Sequence, residues 1–254
     1  MRALEKTAPA PDPDAPIAIL LAAGVGRRLA GAHQGPKILL AFDGRTLLER
    51  HLQALAEAGV HHVAVTVGHE AERLRVALNG RADMVANPDY RRGSLVSLGV
   101  QDAVLRSGRP VLLMDGDVLY APEMLRRLVQ AQGDAVLLVD RELESGDEPV
   151  KVCFRDGVMV DFRKQPEHAH DGHGESVGFF KFSPAMARAL ADRCQALLTA
   201  GHGELEYEEA IRDLLLERPR DFTYLDVSDL PWTEIDFPED VVKARDQVLP
   251  ALAG

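Results

Sequence analysis

Leu20-Leu21-Ala22-Ala23-Gly24-Val25-Gly26-Arg27-Arg28-Leu29, with Pro36-Lys37 following in the same long loop, is the stretch around which the chain organises itself. The apolar run Ile17–Ala22 reads as a strand, and it breaks into small residues and glycines. Such a turn at the carboxyl end of a strand lets backbone N–H groups approach a ligand closely, and open α/β sheets bind nucleotides there. Arg28 and Lys37 add positive charge suited to a triphosphate. Two other phosphate loops do not fit. The dinucleotide fingerprint needs a third glycine where this chain has Leu29, and the Walker pattern needs Gly-Lys-Ser/Thr.

Outward from this loop, short apolar runs alternate with helical patterns. Strands are predicted at Ile17–Ala22, His62–Val67, 84–86, 111–114 and 135–139. Between them, leucines recur at helical spacing at 47, 48, 52 and 55, then at Leu95, Leu98 and Leu105 and at Met124, Leu125 and Leu128, and less regularly at Leu74, Val76 and Leu78. The alternation predicts an α/β three-layer sandwich of Rossmann-like type with a mostly parallel central sheet. After Val139 the texture changes. Segments 150–154 and 158–162 flank Asp156-Gly157, a dipeptide suited to a two-residue hairpin turn, so an antiparallel extension is predicted. A polar loop rich in His and Gly follows, then a strand at 175–181, helices near 184–200 and Tyr207–Glu217, and a last helix from Pro238. This divides the chain into a flexible leader at 1–16 and one domain at 17–254. Within that domain, 17–140 is the nucleotide-binding half, 141–237 the acceptor-binding half and 238–254 the C-terminal helix.

Composition removes several function classes. A chain of 254 residues buries a full core, and 46% hydrophobic with 27% charged residues is ordinary for a folded protein. A net charge of -11 without a run of Lys or Arg argues against nucleic-acid binding, which depends on neutralising many phosphates. Two cysteines, Cys153 and Cys194, give neither a zinc pattern nor a disulfide framework, which fits a reducing cytoplasm. The opening residues carry Pro9, Pro11, Pro13 and Pro16 among acidic side chains and no apolar run, so neither a signal peptide nor membrane insertion is expected.

Leu-Ala-Ala-Gly-x-Gly-x-Arg followed by Pro-Lys resembles the signature of the MobA-like and sugar-phosphate nucleotidyltransferases of the glycosyltransferase-A type. Arg27 departs from it, standing where the family more often has a small polar residue. Two further segments extend the resemblance in the same order: Leu112-Leu113-Met114-Asp115-Gly116-Asp117, and Trp232-Thr233-Glu234-Ile235-Asp236-Phe237-Pro238-Glu239-Asp240. It implies that Leu21, Ala22, Ala23, Gly24 and Gly26 cradle the nucleotide, that Arg28 and Lys37 meet the triphosphate, and that Asp117 and Asp236 hold Mg²⁺. Mg²⁺ prefers oxygen ligands and takes one or two protein carboxylates. Asp115 reads either as support for Asp117 or as a turn residue, and Glu239 and Asp240 as the acidic start of a helix.

Weaker matches complete the expected site. Asn87-Pro88-Asp89-Tyr90 and Gly93-Ser94-Leu95-Val96-Ser97 resemble the base-recognising segment, giving Asn87, Gly93, Ser94 and Ser97; Ser94 is equally suited to capping a helix. Arg163-Lys164-Gln165-Pro166 resembles a segment that sets a lysine on the acceptor phosphate, which gives Lys164. Glu175, Tyr207 and Glu208 are candidates for the acceptor itself. His168, His170 and His173 lack ligand spacing and read as solvated.

The implied reaction joins CMP from CTP to a small phosphorylated alcohol such as phosphocholine, an aminoalkylphosphonate or inositol phosphate, releasing pyrophosphate. A sugar-1-phosphate nucleotidylyltransferase using UTP, GTP or dTTP shares every motif. A non-catalytic nucleotide-sensing module is the reading of another class. The sequence leaves room for a homodimer.

Overall fold

The computed structural model describes residues 15–29, 35–142 and 149–252, so the leader expected at 1–16 falls almost wholly outside the described residues. In chain order the elements are β1 (Ile17–Ala22), β2 (Ala41–Phe42), β3 (Arg45–Thr46), α1 (Leu47–Glu57), β4 (His62–Val67), α2 (Ala71–Leu78) and β5 (Asp83–Ala86). Next come α3 (Ser94–Gly99), α4 (Asp102–Leu105), β6 (Val111–Asp115), β7 (Val118–Tyr120), α5 (Pro122–Gln130), β8 (Ala135–Asp140), β9 (Lys151–Arg155) and β10 (Val158–Arg163). Last are β11 (Gly172–Phe182), α6 (Pro184–Thr199), α7 (Tyr207–Glu217), β12 (Phe222–Asp226), β13 (Trp232–Glu234) and α8 (Pro238–Lys243), the last continuing helically to Ala251.

The sheet runs β5-β4-β1-β6-β11-β8-β12, all parallel except β11, which runs against both neighbours; β9 and β10 extend it from the first half of β11. Side chains alternate across it. Ala18, Leu20, Leu112, Met114, Val136 and Leu138 face α1, α2, α5 and the C-terminal helix, while Ile19, Val111, Leu113, Leu137 and Val139 face α3, α4, α6 and α7. Each fully buried leucine contributes ~2 kcal/mol by leaving water. The predicted α/β three-layer sandwich with an antiparallel extension is what the chain forms.

The chain steps from β1 outward to β4 and β5, then crosses back to β6 on the other side of β1. That reversal opens a crevice beyond the carboxyl ends of β1 and β6, the place where doubly wound sheets bind ligands. Local chemistry agrees with these elements. Thr46 and Glu49 form a reciprocal capping box at the start of α1, with Thr46 Oγ1 accepting from Glu49 N at 3.1 Å and Glu49 Oε2 accepting from Thr46 N at 2.9 Å. Asp156 and Gly157 take φ of 52° and 78°, the positive pair a tight hairpin turn requires.

Several expectations are corrected. The strand expected at 175–181 begins at Gly172, so His173 lies on β11 and not in a loop. In α2, Leu74 and Leu78 are buried but Val76 is 73% exposed. Strands β2, β3, β7, β12 and β13, each of five residues or fewer in weakly alternating sequence, were not predicted. Among the described residues no helix is long and apolar enough to cross a membrane.

Candidate active site

The site lies at the β1/β6 crevice. Gly116 N donates to Leu21 O at 3.0 Å, which docks the turn after β6 against the glycine loop after β1. Asp115 ends β6 and Asp117 follows two residues on. Across from them, β13 pairs antiparallel with β7, aligning Glu234 with Val118, and Ile235 N donates to Asp117 O at 2.9 Å. This two-stranded ladder brings Asp236 beside Asp117. Asp240 Oδ2 then accepts from Asp236 N at 2.8 Å and Phe237 N at 2.7 Å, so the acidic helix start fixes the turn that presents Asp236.

Lys37 ties the two carboxylates. Its Nζ donates to Asp117 Oδ2 at 2.7 Å and to Asp236 Oδ1, while Arg28 Nη1 donates to Asp236 Oδ2 at 2.7 Å and lies over the Phe237 ring at 5.2 Å. Burial alone would lower the Lys37 pKa, but Asp117 and Asp236 raise it well above the lysine range. Burial likewise opposes ionisation of Asp236, yet Lys37 and Arg28 hold its carboxyl below its usual value. Lys37 and Asp236 are therefore both charged at neutral pH.

Glu234 joins them. Ligand oxygens of Asp117, Glu234 and Asp236 lie within 4.8 Å of one another. Surrounding protein and the charges of Asp117, Asp236 and Asp115 push the Glu234 carboxyl well above the usual carboxylate range, although its side chain opens onto the cleft. An all-oxygen set with crowded negative charge has the chemistry of a site for a hard divalent cation. The sequence reading took only the first and last of the three. Glu234 precedes Asp236 by two residues on a strand and its neighbour, and only the β7–β13 pairing turns it toward Asp117.

A cleft of ≈ 660 Å³ opens from this point, lined by Ala23, Gly24, Arg28, Gly93, Ser94, Ser97, Lys164, Glu175, Tyr207 and Glu208, together with Asp115, Asp117, Glu234 and Asp236. A smaller hollow of ≈ 210 Å³ beneath the glycine loop touches Leu21, Ala22, Gly24, Gly26, Lys37 and Asp117. Nearly every residue expected at the site therefore faces one of two adjoining spaces. Asn87 does not. It is buried, its Nδ2 donates to Ser97 Oγ at 3.0 Å and its Oδ1 accepts from Asp89 N at 2.9 Å, so it shapes the loop from behind. Ser94 caps a helix, but not its own: its Oγ accepts the first N–H of α7, from Tyr207, at 2.9 Å. At Gly93 a Cβ would lie 1.9 Å from Leu205 O, so the α3 loop reaches the α7 approach only because this residue has no side chain.

On the far wall, Tyr207 Oη donates to Asp115 Oδ2 at 2.7 Å. Asp115 thus links the strand end to α7 and stands apart from the close triad; burial, with Glu208 and Asp117 nearby, raises its carboxyl well above the usual range. Glu208 is pushed up to about 8 by burial and by Glu206, and its Oε2 is buried without a hydrogen-bond partner. Lys164 Nζ lies 3.7 Å from Glu206 Oε1. His51, on α1 and fully buried, supports the Asp-Gly-Asp turn from below: burial pushes it down to about 4, so it is neutral and its Nε2–H donates to Gly116 O at 3.2 Å. His168, His170 and His173 are all exposed, but His168 is tethered, its Nδ1 lying 3.1 Å from Asp161 Oδ2.

Comparison with known proteins agrees with this geometry. The bifunctional IPC transferase and DIPP synthase of Rubrobacter xylanophilus is 31% identical over 240 residues, 91% of this chain and 52% of that protein. The CMP-5'-(3-aminopropyl)phosphonate synthase of Streptomyces rubellomurinus is 32% identical over 246 residues, 90% of this chain and 38% of that protein. The chain thus spans about half, or less, of the length of these curated relatives. The structure of the inositol-1-phosphate CTP transferase from T. maritima shares the fold, with a TM-score of 0.74 at 19% identity over 94% of this chain and 96% of that one. The model of the MobA-like NTP transferase domain matches residues 18–204, the glycine loop through the approach to α7, and the chain belongs to that family.

Proposed function

We propose that this protein is a cytidylyltransferase that transfers CMP from CTP to a small phosphorylated alcohol, such as phosphocholine, an aminoalkylphosphonate or inositol phosphate, with Mg²⁺ as its metal. The observation that carries this reading is the convergence of Lys37, Asp117 and Asp236 beside the glycine loop, at the mouth of a cleft whose far wall bears Lys164 and carboxylates. The names of the relatives above, which include a CMP-phosphonate synthase, support the choice of nucleotide and acceptor.

In this reading the loop 21–26 and Ser97 receive the nucleotide, with Gly93, Ser94 and the buried Asn87 shaping its wall, while Arg28 and Lys37 meet the triphosphate. Asp117 and Asp236, joined by Glu234, would hold the Mg²⁺, which when bound neutralises phosphate charge. An acceptor phosphate oxygen attacks the α-phosphorus in line; the new O–P bond forms as the bond to the β-phosphate oxygen breaks and pyrophosphate departs. No protein nucleophile takes part, so positioning and charge stabilisation by these side chains supply the catalysis. Lys164 pairs with the acceptor phosphate. Glu175, Tyr207 and Glu208 face the rest of the acceptor, where carboxylates and a phenol suit hydroxyl or ammonium groups. A reducing cytoplasm suits the two buried free thiols, Cys153 and Cys194.

Pyrophosphate release tests the reading, with Mg²⁺, each of CTP, UTP, GTP, ATP and dTTP, and phosphocholine, 2-aminoethylphosphonate, inositol 1-phosphate and common sugar 1-phosphates. Release with CTP and a phospho-alcohol is expected. Release only with a sugar 1-phosphate would move the protein to the sugar-nucleotide branch, and silence throughout would favour a nucleotide-sensing role.

A further inference from the structure

Among the described residues, Asp161 and Arg212 are the least exposed of the Asp, Glu, Lys and Arg residues, at 0% and 8%, and they bond to each other, Arg212 Nε donating to Asp161 Oδ1 at 2.7 Å. Asp161 lies on β10 where the ladder to β9 shifts register between Met159 and Asp161, an irregularity of the kind that re-aims a side chain. Taking such a pair out of water costs about what its attraction returns, and an apolar pair of similar volume would hold β10 and α7 together equally well. What an apolar pair lacks is hydrogen-bonding capacity, and here that capacity is directed at one turn.

Asp161 Oδ2 accepts from the backbone N–H groups of Glu167 at 2.7 Å and His168 at 2.9 Å. From α7, Arg212 Nη2 donates to Glu167 Oε2 at 2.9 Å. Arg163 joins Glu209 of α7 through Nε at 2.9 Å and pairs with Glu167, and Lys151 Nζ donates to Lys164 O at 2.9 Å. The turn 164–168 is therefore fastened from below by a buried carboxylate, from the side by α7 and at its start by β9. Although burial would raise it, the Arg212 guanidinium and the two N–H groups hold the Asp161 carboxyl well below the usual carboxylate range, so the fastening persists across the neutral region.

We propose that Asp161 and Arg212 are positioning residues for the acceptor: their buried pair clamps the turn 164–168 to α7 and so fixes the Lys164 ammonium relative to Glu206, Tyr207 and Glu208 at the start of that helix. The inference rests on the acceptor role proposed for Lys164. The clamp touches neither the glycine loop nor the Asp117–Glu234–Asp236 cluster, so its loss separates acceptor binding from nucleotide binding.

The test uses the full chain as wild type, Asp161→Asn, which keeps the volume but loses the charge and one acceptor oxygen, and Glu167→Gln, a change at an exposed side chain that preserves folding. Amide hydrogen exchange over 164–168 is expected to speed up in Asp161→Asn by about tenfold or more while β1 and β6 stay protected. With CTP, Mg²⁺ and whichever of 2-aminoethylphosphonate, phosphocholine or inositol 1-phosphate the wild type consumes, the KM for the acceptor is expected to rise by about tenfold to a hundredfold, with the KM for CTP within about twofold. Glu167→Gln shows the same split at smaller size, and decides the matter if Asp161→Asn does not fold. Equal rises in both KM values, or a loosened turn with an unchanged acceptor KM, would overturn the proposal. A wild type inactive with every acceptor would sink the functional reading separately, and unchanged exchange over 164–168 would then still refute the clamp.

Discussion

Gly178 sits in the middle of β11 at φ 76°, where the pairing of β11 with β8 shifts register between Ser176 and Phe180. A Cβ at this position would lie 2.2 Å from Asp115 Oδ2, 3.0 Å from Cγ and 3.3 Å from Cβ, so Gly178→Ala collides with nearly the whole Asp115 side chain. The backbone strain of an L-residue at that φ costs about 1–2 kcal/mol. Moving Asp115 also breaks the 2.7 Å hydrogen bond from Tyr207 Oη. Leaving the buried phenol without its acceptor costs about 1–3 kcal/mol, so the total is about 2–5 kcal/mol. For a chain of this size that lowers the melting temperature by roughly 10 °C. Gly157→Ala is the control, because Gly157 has φ 78° but nothing within 4 Å of its added Cβ. It carries the strain without the collision. Urea unfolding of both variants is expected to show Gly178→Ala less stable than Gly157→Ala by about 2 kcal/mol or more, with a matching loss of pyrophosphate release confined to Gly178→Ala. Equal losses of stability in the two variants would refute the claim that Gly178 is required by the close approach of Asp115.

Asp117→Ala removes one partner of Lys37 at the metal cluster and is expected to lower pyrophosphate release by at least about a hundredfold with an unchanged melting curve; wild-type release would remove Asp117 from the cluster's function. His51 is buried and neutral with its pKa pushed down to about 4, so the unfolded chain takes up a proton there before the native one does, and stability falls as pH drops from the ordinary histidine value toward 4. His51→Gln keeps a donor for Gly116 O and lacks that titration, so the stability of the wild type relative to this variant is expected to fall by about 2 kcal/mol between about pH 7.5 and about pH 5; a constant difference in urea midpoints would contradict the buried neutral imidazole. Ser94→Ala leaves the first N–H of α7 without its acceptor and is expected to cost about 1 kcal/mol in urea unfolding, whereas no loss would mean that solvent satisfies that donor.

The parallel half of the sheet and the nucleotide loop were legible in the sequence because each depends on local pattern. A buried central strand such as β1 or β6 needs a short apolar run, and a close-approach turn needs small residues, so Ile17–Ala22 and Val111–Asp115 announce themselves within a few residues. Lys37, Asp117 and Asp236 were likewise named from local motifs, and the fold does bring them together. What local pattern could not carry was anything made by two distant segments at once. Strands β7 and β13 are three residues each and acquire their meaning only by pairing, and that pairing is what turns Glu234 into the cluster. Ser94 reads as a cap for the helix it begins, yet its hydroxyl serves α7. Asp161 and Arg212 look like ordinary surface charges in a hairpin and a helix, and burial makes them the center of a network. Periodicity and turn chemistry are properties of neighbouring residues and are written in the sequence; desolvation and hydrogen-bond partnership depend on which segments pack face to face, and those only the tertiary structure decides.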